Sequence, residues 1–302
     1  MDAATHLMSG LVLAGPLWAG SPLTAAALVL GTVLPDVDAL ARVFGKRAFV
    51  RAHQTVTHGL PFIAVVTLAV WWTLPEWTRH ERYVAAALAG GMLLHVAMDA
   101  TNTLGVALLS PLSWRRWAAE WVFFIDAAVL AASAAATVAV VGRPTSAEPV
   151  AAAYAGFLAA YWAAKAWLRW RAGRLAPPGT ASLVPSAWRP WEYLGYRRLG
   201  DDAAETFWLN ALTGRAADER AWAVLDARFA AALAAVPEFR LMRALSAGYH
   251  ATDAREVPAT DGSTATRVTC RDLRTRNFGG RFGRLDLTVA ADGTVREVVF
   301  DV

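Results

Sequence analysis

The chain has 302 residues, of which 56% are hydrophobic and only 18% charged, with a mean hydropathy of +0.33 and a net charge of +4. Soluble domains run at roughly 45–50% and ~25%, so this composition excludes an ordinary soluble enzyme and points to a membrane, while disorder, solenoid repeats and fibrous sequence are excluded as well. The single cysteine, Cys270, excludes an internal disulfide framework and any cysteine-rich zinc module, so a metal must rely on His, Asp and Glu.

The charge is unevenly spread: residues 1–174 hold 13 Lys+Arg and 9 Asp+Glu, residues 175–302 hold 16 of each. Basic residues placed between apolar runs read as membrane topology rather than nucleic-acid binding. The predicted organisation is an all-α multi-pass membrane domain over 1–174, with four long helices and an N-terminal helical hairpin, followed by a small cytoplasmic α+β domain over 175–302.

In chain order, residues 4–34 are apolar but broken by Gly15-Pro16 and Gly20-Ser21-Pro22, which predicts two short helices that dip into the bilayer and return. The first residues lack the basic segment of a cleavable signal peptide. Four runs, 59–75, 83–99, 121–142 and 150–168, are apolar enough to be read as spans, the first two being short. Arg42, Lys46, Arg47 and Arg51 precede the first, Arg115 and Arg116 follow the second, and Arg169, Arg171 and Arg174 close the fourth. The loop with Glu76, Arg79, His80, Glu81 and Arg82 is balanced. The positive-inside rule then puts the basic loops and the C-terminal domain in the cytoplasm, with His80 an outside surface residue. Tryptophans flanking the runs, such as Trp71, Trp114, Trp121 and Trp170, read as interfacial anchors. Beyond Pro177-Pro178-Gly179, residues 219–236 show helical spacing through Trp222, Leu225, Phe229 and Leu233. Residues 285–300 alternate around Asp292-Gly293, as a β-hairpin does. No nucleotide loop or nucleophile elbow is visible there, and His250 reads as a packing or surface residue.

Ionisable residues beside membrane helices are functional candidates by default. Asp36, Asp38, His53, His58, His95, Asp99 and Glu120 all fall at the cytoplasmic level of this topology, and His6 joins them if 4–34 is a hairpin. His95 and Asp99 are four apart and share a helix face; taken alone, such a pair also serves as a cap or salt bridge. His53 and His58 flank a loop-to-helix junction and could simply be interfacial. Asp36 and Asp38 follow an apolar helix and could cap the next. Imidazole and carboxylate together suit a divalent metal, zinc first, with manganese or iron as alternatives, and the number of candidate ligands allows one or two ions. Asp126, two turns inside the third run, is read as supporting the ligands rather than as one.

Taken in order, Thr5-His6 with Gly10, Leu34-Pro35-Asp36-Val37-Asp38, His53 to His58 in a form like HRGxTH, His95-xxx-Asp99 with Gly105 and Pro111, and Phe124-Ile125-Asp126 resemble the YdjM-type family of bacterial membrane-bound metal-dependent hydrolases. The resemblance covers about residues 1–130. It implies an inner-membrane protein with a metal centre, distantly similar to zinc-dependent phospholipase C, in which His6, Asp36, His53, His58, His95 and Asp99 fall on the motif positions. The chain departs at Gln54-Thr55, where the family tends to have Arg-Gly, and at Ala127, where a proline commonly follows the aspartate.

The function expected is metal-dependent hydrolysis, at the cytoplasmic face, of a phosphoester or other ester, lipid-derived or amphiphilic. A small soluble molecule could enter from the same side, and membrane lipid is the surrounding partner. Glu120 or Asp38 would accept the proton of the attacking water, and Arg51 or Arg115 would steady the developing anion. The alternative is a non-catalytic anchor or regulator with a structural metal, recruiting a cytoplasmic protein through 175–302. An ion or proton carrier using Asp126 and His95 ranks third, because Leu130–Val141 offers only Ser133 and Thr137 as polar residues.

Overall fold

A computed structural model describes residues 1–73, 83–258, 263–278 and 282–301. His80 and the balanced loop around it lie outside the described residues. The chain divides into two compact units, residues 1–43 with 52–167, and residues 44–51 with 168–302. The segment 44–51 belongs to the second unit, and the change-over lies within a long helix.

Among the described residues of the first unit the regular elements are helices, joined between Ala100 and Ala127 by an irregular stretch with one β-bridge, Val106 to Trp117. Asp2 caps α1 (Ala3–Ala14), its carboxylate accepting from the Thr5 N–H at 3.0 Å and the Thr5 hydroxyl at 2.6 Å. A 3-10 turn at Gly15–Leu17 and the break before Pro22 lead into α2 (Pro22–Gly31), so the predicted hairpin forms. A 3-10 segment, Leu34–Phe44, carries Asp36 and Asp38. After α3 (Lys46–Ala52) and a short turn at Val56–His58 come α4 (Leu60–Thr73), α5 (Tyr83–Ala100) and α6 (Ala127–Gly142). α7 (Ala147–Leu175) runs on into the second unit.

The expected membrane domain of four long spanning helices is corrected by these lengths. Among the described residues one helix, α5, is long and apolar enough to cross a membrane; up to three crossings result only if each of two bent helix pairs counts as one. α4 starts only at Leu60, after the break at Gly59, and its 14 residues rise about 21 Å. The third run loses its first turn because Trp121 and Val122 both donate backbone bonds to the Thr101 carbonyl, so the helix begins at the Asp126 cap.

α2 and α5 cross at glycine. A Cβ on Gly91 would lie 2.3 Å from the Leu28 carbonyl oxygen, and one on Gly31 would lie 2.3 Å from that of Leu88. Small residues permit this approach. It holds Thr32, just past Gly31, beside His95, one turn past Gly91.

The second unit also departs from expectation. It contains two four-stranded antiparallel sheets, β1 (Thr180–Pro185), β2 (Glu192–Arg198), β3 (Ala203–Asn210) and β4 (Ala216–Ala223), then β5 (Tyr249–Pro258), β6 (Thr264–Asp272), β7 (Arg284–Ala290) and β8 (Val295–Asp301). Among the described residues beyond α7, helix is confined to α8 (Ala230–Ala235), α9 (Pro237–Leu245) and a 3-10 segment at Leu273–Phe278. The helix predicted over 219–236 is largely absent because its first residues are strand β4, paired with β3. Leu225, Phe229 and Leu233 still pack on the second sheet, while Trp222 joins a different cluster. The hairpin around Asp292-Gly293 forms as β7–β8. Cys270 is wholly buried in this second core, and burial pushes its thiol far above the ordinary range, so it is inert.

Candidate metal centre

Four side chains from three separate segments of the first unit meet at one point. Asp36 comes from the 3-10 segment after α2, His58 from the turn before α4, and His95 and Asp99 from one face of α5. His58, His95 and Asp99 are almost wholly buried, and Asp36 is 20% exposed. The two imidazole Nε2 atoms lie 3.0 Å apart. Asp36 Oδ1 is 3.6 Å from His58 Nε2 and 3.5 Å from His95 Nε2, and Asp99 Oδ2 is 3.4 Å and 3.6 Å from the same atoms. A cation with bonds of about 2.0–2.1 Å to four tetrahedral ligands separates them by about 3.3 Å. Five of the six separations are therefore those of a tetrahedral site, and all four residues offer ligand atoms within 4.8 Å of one another.

The surroundings fix the rings for that role. The other ring nitrogen of His95, Nδ1, lies 2.8 Å from the Thr32 carbonyl oxygen, and that of His58 lies 3.1 Å from Asp38 Oδ2. A ligating histidine characteristically donates its second N–H to such a carbonyl or carboxylate, which aims its free nitrogen at the ion. Asp99 Oδ2 also accepts from Gln54 Nε2 at 2.9 Å, while Asp99 Oδ1 meets His6 Nε2 at 3.1 Å and the Met1 amino group. The His6 ring stacks on that of His95, centroids 3.7 Å apart. Asp38 Oδ2 further accepts from the Gln54 N–H and the Thr57 hydroxyl, and Asp38 Oδ1 meets His53 Nδ1 at 2.8 Å.

A family model described as "YdjM inner membrane protein" matches residues 1–172. The chain belongs to the YdjM inner membrane protein family. It is also similar to the "Uncharacterized protein YfhP" of Bacillus subtilis (strain 168), 27% identical over 132 residues. That similarity spans 39% of this chain and 39% of YfhP, well under two thirds of the relative's length. No solved structure matches. All residues of the centre lie within the stretch that matches the YdjM family, and its membrane association follows from that membership.

In this YdjM-family chain the structure brings Asp36, His58, His95 and Asp99 together, with His53 and Asp38 beside them. His6 touches Asp99 and His95 from outside the four-atom set. Asp126 caps α6, accepting from the Ala128 and Val129 N–H groups at 3.1 and 3.2 Å and from the Tyr161 hydroxyl at 2.9 Å. Glu120 is in neither of the ligand groups, and its backbone N–H donates to the Asn102 carbonyl. Arg115 is exposed, its guanidinium 4.9 Å from the Trp117 ring centroid, and Arg51 falls in the second unit. It is Arg116 that reaches the centre: its Nη2 donates to the His53 carbonyl at 2.8 Å and its Nη1 to that of Gly105 at 3.1 Å. Burial lowers the pKa of this guanidinium and the charge of Asp38 opposes the shift.

Thr57, Thr32 and Arg116 are not marked as site residues by the sequence, and Gln54 is marked only as a departure from the resembling family. Gln54 lies at φ +60°, so its placement depends on a backbone conformation that no spacing reveals. The one available signal was Gln54 itself, standing where the resembling family tends to have arginine.

Proposed function

We propose that this protein is a membrane-bound, metal-dependent hydrolase of phosphoesters or other esters, with amphiphilic molecules as its substrates. The observation that carries the reading is the tetrahedral spacing of Asp36, His58, His95 and Asp99. The donors fit a divalent cation such as zinc. Structural zinc sites are mostly built on cysteine, whereas imidazole and carboxylate donors without cysteine are characteristic of catalytic ones. A bound cation would supply Lewis acidity and a more acidic water.

The chain's own residues do the rest. His58 and His95 present Nε2 because Asp38 and Thr32 hold Nδ1. Gln54 and His6 hold the carboxylate of Asp99 on its two sides. Asp36, the most exposed of the four ligands, lies where substrate and water arrive. Asp38 Oδ2 faces the Gln54 N–H, the Thr57 hydroxyl and His58 Nδ1, so this oxygen positions His58 rather than accepting the water proton. In the overall reaction the water oxygen bonds to phosphorus or acyl carbon, the ester bond to the leaving oxygen breaks, and that oxygen takes one proton. The basic residues Arg42, Arg115 and Arg116 near the ligand segments favour a cytoplasmic opening.

Four protein ligands also favour a second reading, a closed structural metal in a non-catalytic anchor, since structural sites are four-coordinate. Elemental analysis of detergent-purified protein, followed by turnover of phosphoester and acyl-ester panels with the metal restored, tests both. Stoichiometric metal with turnover, both lost in His95→Ala and Asp99→Ala, supports the hydrolase. Stoichiometric metal with no turnover on either panel supports the anchor, and metal-free protein after growth in replete medium refutes both.

A further inference from the structure

Asp36 belongs to two groups at once. With His58, His95 and Asp99 it forms the tetrad, and with Asp38 and His53 it forms another set whose ligand-competent atoms also lie within 4.8 Å of one another. We infer that a second divalent cation binds the Asp36–Asp38–His53 set, with Asp36 bridging it to the cation of the tetrad, and that the substrate is a phosphate ester. The inference rests on the hydrolytic reading above and gives it a substrate class.

The bridging role follows from the atoms. Asp36 Oδ1 faces His58 and His95, and a carboxylate that serves the second set through Oδ2 would bridge the two groups to which Asp36 belongs. Asp38 divides its oxygens in the same manner. Its Oδ2 is taken by the Gln54 N–H, the Thr57 hydroxyl and His58 Nδ1, whereas its Oδ1 meets only His53 Nδ1 among the contacts described, at 2.8 Å. Neighbouring ligands on an octahedral cation with bonds of about 2.1 Å lie about 3.0 Å apart, so that pair is already spaced as co-ligands. Asp38 Oδ1 can therefore take a cation without releasing His58.

Exposure separates the two positions. His53 is 27% exposed against 0% for His58 and His95, so the second set is on the side open to water. Two carboxylates and one imidazole, completed by water from that side, would suit manganese or magnesium better than a four-coordinate zinc.

Charge gives the substrate. Asp36, Asp38 and Asp99 carry three negative charges, and neutral imidazoles add none. With the Met1 amino group on Asp99 adding one positive charge, one divalent cation leaves the cluster neutral; two make it positive by two, with Arg116 beside it. A phosphoryl group is held by such a centre, and paired cations about 3.5–4 Å apart are suited to both the attacking and the leaving oxygen of a phosphate ester. A neutral acyl ester gains far less from it.

The test uses the full-length protein in detergent, stripped with chelator and titrated with manganese(II), read by elemental analysis and electron paramagnetic resonance. Two equivalents giving the spectrum of an exchange-coupled pair is the expected result, falling to one equivalent with an isolated-ion spectrum in His53→Ala. One equivalent in the unsubstituted protein, or two that are magnetically isolated, overturns the inference while leaving the hydrolytic reading intact. No binding at all overturns both. If His53→Ala does not fold, the spectrum of the unsubstituted protein decides alone.

Discussion

His6 separates two accounts of the centre, because its motif position suggests a ligand whereas its geometry makes it a support. Its Nε2 contacts Asp99 Oδ1, the oxygen turned away from the tetrad, and its ring lies flat on His95. Replacing it by alanine removes one anchor of Asp99 and the stacking surface of His95 but none of the four ligand atoms. Loss of such an outer partner weakens metal binding about 10–100-fold, equivalent to about 1.4–2.7 kcal/mol. Competition with a chromophoric chelator in detergent gives the dissociation constant, and dialysis followed by elemental analysis gives the stoichiometry. His6→Ala should bind the cation at full stoichiometry with a dissociation constant raised by that factor, while His95→Ala should retain none after dialysis. Equal and complete loss in both variants would show that His6 is itself a ligand and would refute the reasoning from spacing.

Three further outcomes follow from the packing. Gly91→Val forces a side chain against the Leu28 carbonyl at the α2–α5 crossing; overpacking of this kind costs about 1–3 kcal/mol, so Tm should fall by roughly 2–12 °C, and cation affinity should fall with it because Thr32 and His95 are displaced together. Tyr161→Phe removes the hydroxyl from both Asp126 oxygens and should lower stability by about 1–3 kcal/mol while leaving the dissociation constant for the cation unchanged, as a helix cap requires and a ligand support does not. In the second unit, burial alone would raise the Asp226 carboxyl, but the His250 ring and the Ala251 N–H hold it below its ordinary value. A depressed folded pKa contributes stability that is present above about pH 4, the unfolded value, and is lost as pH falls through the folded one. Asp226→Asn should therefore be less stable than the parent at neutral pH and should lose that difference in acid, measured by denaturant melts across pH.

Much of the centre was legible because helical periodicity is local. The four-residue spacing of His95 and Asp99 fixes a shared face whatever surrounds it, and the glycine and proline breaks at 15–16 and 20–22 dictate a hairpin that returns His6 to the same end. Hydropathy, by contrast, counts apolar residues without seeing where a helix starts. Trp121–Ile125 are apolar enough for a span, yet their backbone is committed elsewhere until Asp126 caps α6. The strands of the second unit were hidden for a related reason. β2 buries Tyr193, Leu194, Gly195 and Tyr196 in succession, and β4 exposes nearly every residue, so neither shows the alternation that marks a half-buried strand.

The same contrast explains which parts of the site escaped notice. Ligands carry side-chain chemistry that a sequence displays. Thr32 acts through its carbonyl oxygen, which every residue possesses, so only the fold selects it. Arg116 and Arg115 are neighbours of equal chemistry, and what separates them is direction: one guanidinium turns onto Trp117 and the other onto the His53 and Gly105 carbonyls. The specificity of the centre thus resides in groups chosen by backbone path, and substitutions along that path, such as Gly91→Val, should disable it without touching a ligand.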